Sequence, residues 1–152
     1  MISSVAEPAV QLHDEQATAK LAEKLAPMLY AGVTIGLSGS LGAGKTTFVR
    51  YLLAALGSAD PVSSPTYVLE HEYHSDRFSV SHWDLYRCAE LPQELYEPPS
   101  GHQVRLIEWF ERFGDELGAL DLTLRFSLLC DHVRTVSCGG LAQDIVRHLS
   151  AP

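Results

Sequence analysis

Eight consecutive residues carry the clearest chemistry in the sequence: Gly39-Ser40-Leu41-Gly42-Ala43-Gly44-Lys45-Thr46. They fit the phosphate-loop pattern Gly-x-x-x-x-Gly-Lys-[Ser/Thr] without deviation. Glycines at this spacing let the backbone curl into a ring of N–H donors, and a following helix aims its positive end at the same anion. A lysine in this place reaches the β- and γ-phosphates of a nucleoside triphosphate, and the Thr46 hydroxyl becomes a ligand for Mg²⁺. The pattern does not demand Gly42, which is expected to help the loop approach the phosphates.

A phosphate loop needs acids nearby for metal and water. Two strand-like runs end in one: Phe78-Ser79-Val80-Ser81-His82-Trp83-Asp84 and Val104-Arg105-Leu106-Ile107-Glu108. An acid at the carboxyl end of a sheet strand stands where open α/β sheets bind their ligands. The Glu108 run is the more continuously apolar, so it is placed deeper in the sheet and Glu108 is assigned to the metal. Asp84 is then the candidate that orients or deprotonates the attacking water, although the pattern allows the reverse allocation of the two acids equally well, with Lys45 the other catalytic group. Ser63-Ser64-Pro65-Thr66 lies where such proteins carry a segment that senses the γ-phosphate, which makes Thr66 a further contact; an ordinary turn reads the same way. Tyr67, Tyr73, Trp83, Tyr86 and Trp109 read as core and platform aromatics, because no basic residues interleave them as in a base-stacking groove.

The elements that must hold these residues follow from periodicity and punctuation. Asp14 caps a helix with Glu15 in its first turn, and Ala17, Leu21, Ala22, Leu25, Met28 and Leu29 recur at helical spacing. Gly32 ends that helix, and Pro27 marks a kink. Val33 to Leu37 is a strand and Lys45 to Leu56 a helix. Tyr67 to Tyr73 and Phe78 to Trp83 form a hairpin around His74-Ser75-Asp76. Residues 89–103 hold three prolines and a glycine and leave room for one short helix. Val104 to Glu108 is a strand, Phe110 to Leu117 a helix, Asp121 to Leu129 and Val133 to Ser137 a second hairpin, and Leu141 to Leu149 a last helix. The expected architecture is a single α/β domain over residues 1–152, a phosphate-loop fold of mixed parallel and antiparallel sheet flanked by helices.

Composition narrows the function classes. The 152 residues are 46% hydrophobic and 20% charged, enough for a packed core and unlike a disordered chain. Eleven basic against nineteen acidic residues give a net charge of −8, and no two basic residues are adjacent. That is the opposite of a surface that grips DNA or RNA unaided. Cys88, Cys130 and Cys138 make neither an even disulfide set nor a CxxC pair, and read as reduced thiols of a cytoplasmic protein. The uncharged stretch 25–44 contains five glycines, a proline and two serines, too many breakers and polar groups for a membrane helix. The early acids Glu7, Asp14 and Glu15 are unlike a signal peptide. The chain has no asparagine, which removes the Asn-Lys-x-Asp guanine-reading motif.

Taken in order, Asp14-Glu15-Gln16-Ala17-Thr18, Leu41 to Thr47, Ser64-Pro65-Thr66-Tyr67, Asp84-Leu85-Tyr86-Arg87 and Glu108-Trp109 resemble the TsaE family. This family comprises small bacterial P-loop ATPases of the tRNA threonylcarbamoyladenosine pathway, and the resemblance spans about residues 14–137. It implies a cytosolic, Mg²⁺-dependent ATPase, binding ATP and ADP, that works with TsaD and TsaB homologues and meets tRNA only through them. Hydrolysis by this subunit would reset the transferase complex between turnovers. Carried over by motif, the nucleotide contacts are Gly39, Ser40, Leu41, Gly42, Ala43, Gly44, Lys45, Thr46 and Thr47, with Thr66. Glu15 and Thr18 match a front segment near the nucleotide, and Arg134 matches a late arginine that approaches it. Ser40 stands where the family usually has Asp, residues 88–103 are shorter and richer in proline than the family's helical stretch, and Phe110 stands where proline is common.

Two other readings compete. A small P-loop kinase needs clustered arginines near the transferred phosphate, whereas Arg77, Arg87 and Arg105 are isolated. A nucleotide-dependent binding module without turnover would leave Asp84 and Glu108 without a task.

Overall fold

A computed structural model describes residues 6–62 and 69–152. Among them, seven strands form one sheet: β1 (Ala9–Leu12), β2 (Thr34–Ser38), β3 (Glu70–His74), β4 (Ser79–Asp84), β5 (Gln103–Glu108), β6 (Leu122–Cys130) and β7 (Val133–Gly139). Their spatial order is β1-β7-β6-β2-β5-β4-β3. β2 runs parallel to both β5 and β6, and β5 parallel to β4. The flanks are antiparallel: the β3–β4 hairpin on one side, the β6–β7 hairpin with β1 beyond it on the other. The sheet is mixed, as expected, with its parallel strands in the middle.

Helices α1 (Glu15–Leu25), α2 (Lys45–Ala55) and α4 (Gln143–Ser150) supply apolar side chains to one core, including Leu21, Leu25, Phe48, Leu52, Ile145 and Leu149. From the sheet, Ile35 and Leu37 of β2, Val80 of β4, and Val104 and Leu106 of β5 enter the same core. Strand side chains alternate between faces, so His82 and Asp84 share Val80's face and Glu108 shares that of Leu106. The opposite face is covered by a smaller cluster that contains Trp83, Leu85, Leu95, Ile107, Phe110, Phe113 and Leu120. On that side a Cβ at Gly36 would come within 2.6 Å of the Phe110 ring, so β2 and the segment after β5 pack in direct contact.

Several elements stand where periodicity places them. Asp14 caps α1, its carboxylate accepting from Ala17 N–H at 2.8 Å. The helical pattern through Met28 divides at Pro27, where a 3₁₀ turn over Ala26–Met28 replaces the last α turn. Residues 89–103 hold one 3₁₀ turn, Gln93–Tyr96. Arg105, reaching back from β5, ties it down by donating to the Glu97 carbonyl at 2.6 Å.

Two expectations need correction. The helix expected over Phe110 to Leu117 is a 3₁₀ turn, Phe110–Phe113, followed by a single α turn, α3 (Gly114–Leu117). Gly114 lacks a side chain to stabilise continuation, and Gly118 at φ +71° stops it. Strand β1 was not expected at all. It is four residues long, only Val10 and Leu12 turn inward, and it exists because β7 offers an open edge to pair with.

Candidate nucleotide-binding site

The loop from β2 into α2 bends on its glycines. Gly39 sits at φ +139°, and a Cβ there would lie 2.5 Å from the Phe126 carbonyl oxygen of β6. Gly42 sits at φ +82° with open space around it, so backbone conformation alone requires glycine there. Ala43 N–H donates to the Ser40 carbonyl at 3.0 Å, closing a turn, and the buried Ala43 methyl anchors the loop to the core. Ser40, Leu41, Gly42, Gly44, Thr46 and Thr47 then line a cleft of about 620 Å³.

Lys45 opens α2 and is only 7% exposed. Its ammonium donates to the Gly39 carbonyl at 2.6 Å, lies 3.4 Å from Glu108 Oε1 and stands 5.1 Å from the centre of the Trp109 ring. The lysine is thus folded back over its own loop and paired with an acid across the cleft.

The two acids meet at the carboxyl edge of the sheet. Asp84 and Glu108 are register partners on the parallel strands β4 and β5, and Leu37 of β2 aligns with Glu108 on the other side. β5 is the more interior of the two acid-bearing strands, which agrees with its apolar run. Asp84 Oδ1 accepts from Tyr86 N–H at 2.9 Å, an Asx turn that swings the chain away from the sheet. Glu108 is buried, and its Oε2 lies 2.7 Å from His82 Nε2. Burial alone would push the Glu108 carboxyl up; the His82 hydrogen bond and the Lys45 charge outweigh it and hold the group below the usual glutamate value.

Beyond Glu108 the chain makes a left-handed turn. Trp109 at φ +61° is the only non-glycine residue with positive φ among those described, a conformation costing about 1–3 kcal/mol that clusters at functional sites. It places the indole on the cleft wall, 4.9 Å from the Tyr86 ring. From below, Arg112 Nη1 donates to the carbonyls of Leu85, Tyr86 (2.7 Å) and Cys88 (2.9 Å), and so fixes the segment carrying Tyr86 and Arg87 against the cleft. On the far side, Arg134 of β7 donates to the Gly42 carbonyl at 3.3 Å.

The structure therefore brings Lys45, Thr46, Asp84, Glu108 and Arg134 together on one cleft. It does not bring Glu15 or Thr18 there: Glu15 accepts a hydrogen bond from Tyr51 of α2 at 2.9 Å, Thr18 is buried in α1, and neither lines the cleft. Thr66 lies outside the described residues. His82 and Arg112 went unread in the sequence. His82 was open to detection, since a side chain two residues before Asp84 on a strand must share its face; Arg112 acts through carbonyls that no motif marks.

The donor set suits a magnesium nucleotide. A hydroxyl and two carboxylates are hard oxygen ligands, and a lysine beside a ring of backbone N–H groups is a phosphate site. Among the described residues no group of three or more His, Cys, Asp or Glu converges as a self-sufficient metal site, so an ion held here would need further ligands from outside these side chains. Nor is any described helix long and apolar enough to cross a membrane.

A family model described as "Threonylcarbamoyl adenosine biosynthesis protein TsaE" matches residues 12–136. Among curated relatives, the tRNA threonylcarbamoyladenosine biosynthesis protein TsaE of Aquifex aeolicus is 40% identical over 129 residues, covering 84% of this chain and 92% of the relative. The protein of the same name from Treponema pallidum is 35% identical over 80% and 93% of the two chains. That from Haemophilus influenzae is 30% identical over 90% and 94%. The crystal structure of Bacillus subtilis YdiB shares the fold, with a TM-score of 0.75 over 97% of each chain at 22% identity. With a P-loop NTPase-like sheet, its loop and acids in place and a family match over most of its length, the chain belongs to the TsaE family.

Proposed function

We propose that this protein is a Mg²⁺-dependent ATP-binding and ATP-hydrolysing subunit required for threonylcarbamoyladenosine modification of tRNA, working in the cytoplasm on a complex of TsaB and TsaD homologues. The observation that carries the reading is the convergence of Lys45, Asp84 and Glu108 at the mouth of a glycine loop. Lys45 would bind the β- and γ-phosphates, with the loop N–H groups and Arg134 supporting it. Thr46 and Glu108 would hold the metal, which supplies charge neutralisation to the phosphates. Asp84 has one oxygen engaged by Tyr86 N–H, and its other oxygen, which takes no hydrogen bond from the described residues, would orient and deprotonate a water. The relatives' names support the tRNA modification, and the net charge of −8 favours reaching tRNA through partners rather than directly. Lys45 is held by Gly39 and Glu108 and must leave them to reach a phosphate, which favours slow turnover by the isolated chain.

The test is steady-state ATP hydrolysis with Mg²⁺, with and without the TsaB–TsaD pair, using Lys45→Ala as the blank. Stimulation by the pair is expected. Asp84→Ala should keep ATP binding and lose turnover, by about 10²-fold or more for a lost general base. Tight nucleotide binding with equal, negligible rates under both conditions would refute the hydrolytic reading. Wild-type rates in Asp84→Ala would refute its assignment.

A further inference from the structure

Glu108 faces two cationic or hydrogen-bonding groups at once, and they compete for its charge. Oε1 lies 3.4 Å from Lys45 Nζ and Oε2 lies 2.7 Å from His82 Nε2. All three side chains are at least nine-tenths buried. A carboxylate in such a place needs partners for both oxygens, because an uncompensated buried charge is strongly destabilising. If Glu108 had only Lys45 to satisfy it, both oxygens would close on that ammonium, and Lys45 would be harder to draw away.

His82 prevents this. Its ring is 0% exposed, so the imidazole has little freedom to turn. It stands on β4 beside β5, with His82 aligned to Leu106 and Asp84 to Glu108, which sets its distance to Glu108 by sheet register rather than by a flexible loop. The Tyr73 ring of β3 packs 6.3 Å from it. Among the described residues its Nδ1 has no hydrogen-bond partner, so its one polar engagement there is with Glu108. A fully buried histidine with one ring nitrogen left unpartnered is costly, and the pairing with Glu108 is what this arrangement gains in return.

We propose that His82 is a positioning residue for nucleotide binding: by holding Oε2 of Glu108 it keeps that carboxylate from closing both oxygens on Lys45, and so leaves Lys45 releasable to phosphate. The inference rests on the ATP-site reading above and adds a residue and a role to it. His82 is fully buried and does not line the cleft; it acts through Glu108.

The experiment measures the affinity of the full-length protein for ATP in EDTA, which isolates the Lys45 exchange from metal binding, by calorimetry and by Trp109 fluorescence. His82→Leu, which removes the donor, should weaken ATP by about tenfold or more, the equivalent of one charge-assisted hydrogen bond redirected. Adding Glu108→Gln should restore the lost affinity, because the competing charge is gone. His82→Gln, whose amide nitrogen reaches the Nε2 position, should bind within a few-fold of wild type, and His82→Asn, whose amide nitrogen reaches only the Nδ1 position, should not. The Gln and Asn pair keeps the test decisive should the leucine variant fail to fold. A merely structural role for His82 would lower the melting temperature without rescue by Glu108→Gln. Wild-type affinity in folded His82→Leu or His82→Asn, or no rescue in the double variant, overturns the proposal while leaving the ATP site standing. A wild-type chain that binds ATP with Mg²⁺ but not in EDTA overturns the role given to His82, and one that binds ATP under neither condition overturns the site as well.

Discussion

Replacing Gly39 by alanine puts a methyl group where the structure has a carbonyl. The new Cβ would lie 2.5 Å from the Phe126 backbone oxygen, 3.1 Å from the Phe126 Cβ and 3.3 Å from the Ala43 Cβ. None of these is the free end of a flexible side chain, so the loop itself must move. Two costs add: about 1–3 kcal/mol for holding alanine at φ +139°, and about 1–3 kcal/mol for the overlap. At this chain length each kcal/mol lowers the melting temperature by about 2–4 °C, so Gly39→Ala should melt about 4–24 °C below wild type. Gly42→Ala is the control. Its Cβ meets nothing within 4 Å and carries only the strain of φ +82°, about 1–2 kcal/mol and about 2–8 °C. The two should differ in function as well. The Gly39 carbonyl accepts the Lys45 ammonium at 2.6 Å, so displacing it misplaces the lysine, and ATP affinity should fall further in Gly39→Ala than in Gly42→Ala. Thermal melts and ATP titrations of the two variants side by side check this. Equal losses in both would refute the argument that contact with β6, rather than backbone freedom, sets the demand at Gly39.

Other outcomes follow from features away from the cleft. Asp14→Ala removes the acceptor for Ala17 N–H and should cost about 1 kcal/mol in urea denaturation, with Asp14→Ser recovering most of it; no difference between the two would show that the cap is not formed in solution. A thiol reagent at pH 8 should label exposed Cys130 first and half-buried Cys88 more slowly, and should reach Cys138 only on unfolding. Burial pushes the Cys138 thiol up to about 11 from an ordinary 9.0. The unfolded chain then releases that proton about two pH units before the native chain does, so stability present below pH 9 is lost as pH rises toward 11. Cys138→Ala should flatten this alkaline decline, and an unchanged slope would count against a buried neutral thiol.

The parts legible in the sequence are those whose meaning is local. Gly39 to Thr46 declares its chemistry in eight adjacent residues, and Asp14 declares a helix start within four. The ends of β4 and β5 were readable because apolar alternation stopped at an acid in each. What was not legible depends on pairing between distant segments. β1 has too few inward apolar residues to announce itself and forms because Ala9 finds Ser137. The bond between His82 and Glu108 exists only through the register of β4 on β5, which no single-strand pattern contains. Residues 110–117 misled for a related reason: their apolar spacing suits a helix, while contact with Gly36 and Leu120 across the sheet favours a tighter turn. The front segment with Glu15 and Thr18 shows the converse, because its residues have good local roles in α1 and stand away from the cleft.

The strand order has a consequence for how the protein comes to exist. β2 lies between β5 and β6, neither of which is its neighbour in sequence, and Lys45, Glu108 and Arg134 meet only once both pairings have closed. Each closure fixes a long stretch of chain before any contact rewards it, which places this fold among the slower to assemble. No fragment ending before β6 can contain the cleft, because Gly39 has nothing to rest on and Arg134 has not been made. During synthesis the phosphate loop therefore emerges early and waits, and the cleft becomes complete only as the last third of the chain arrives.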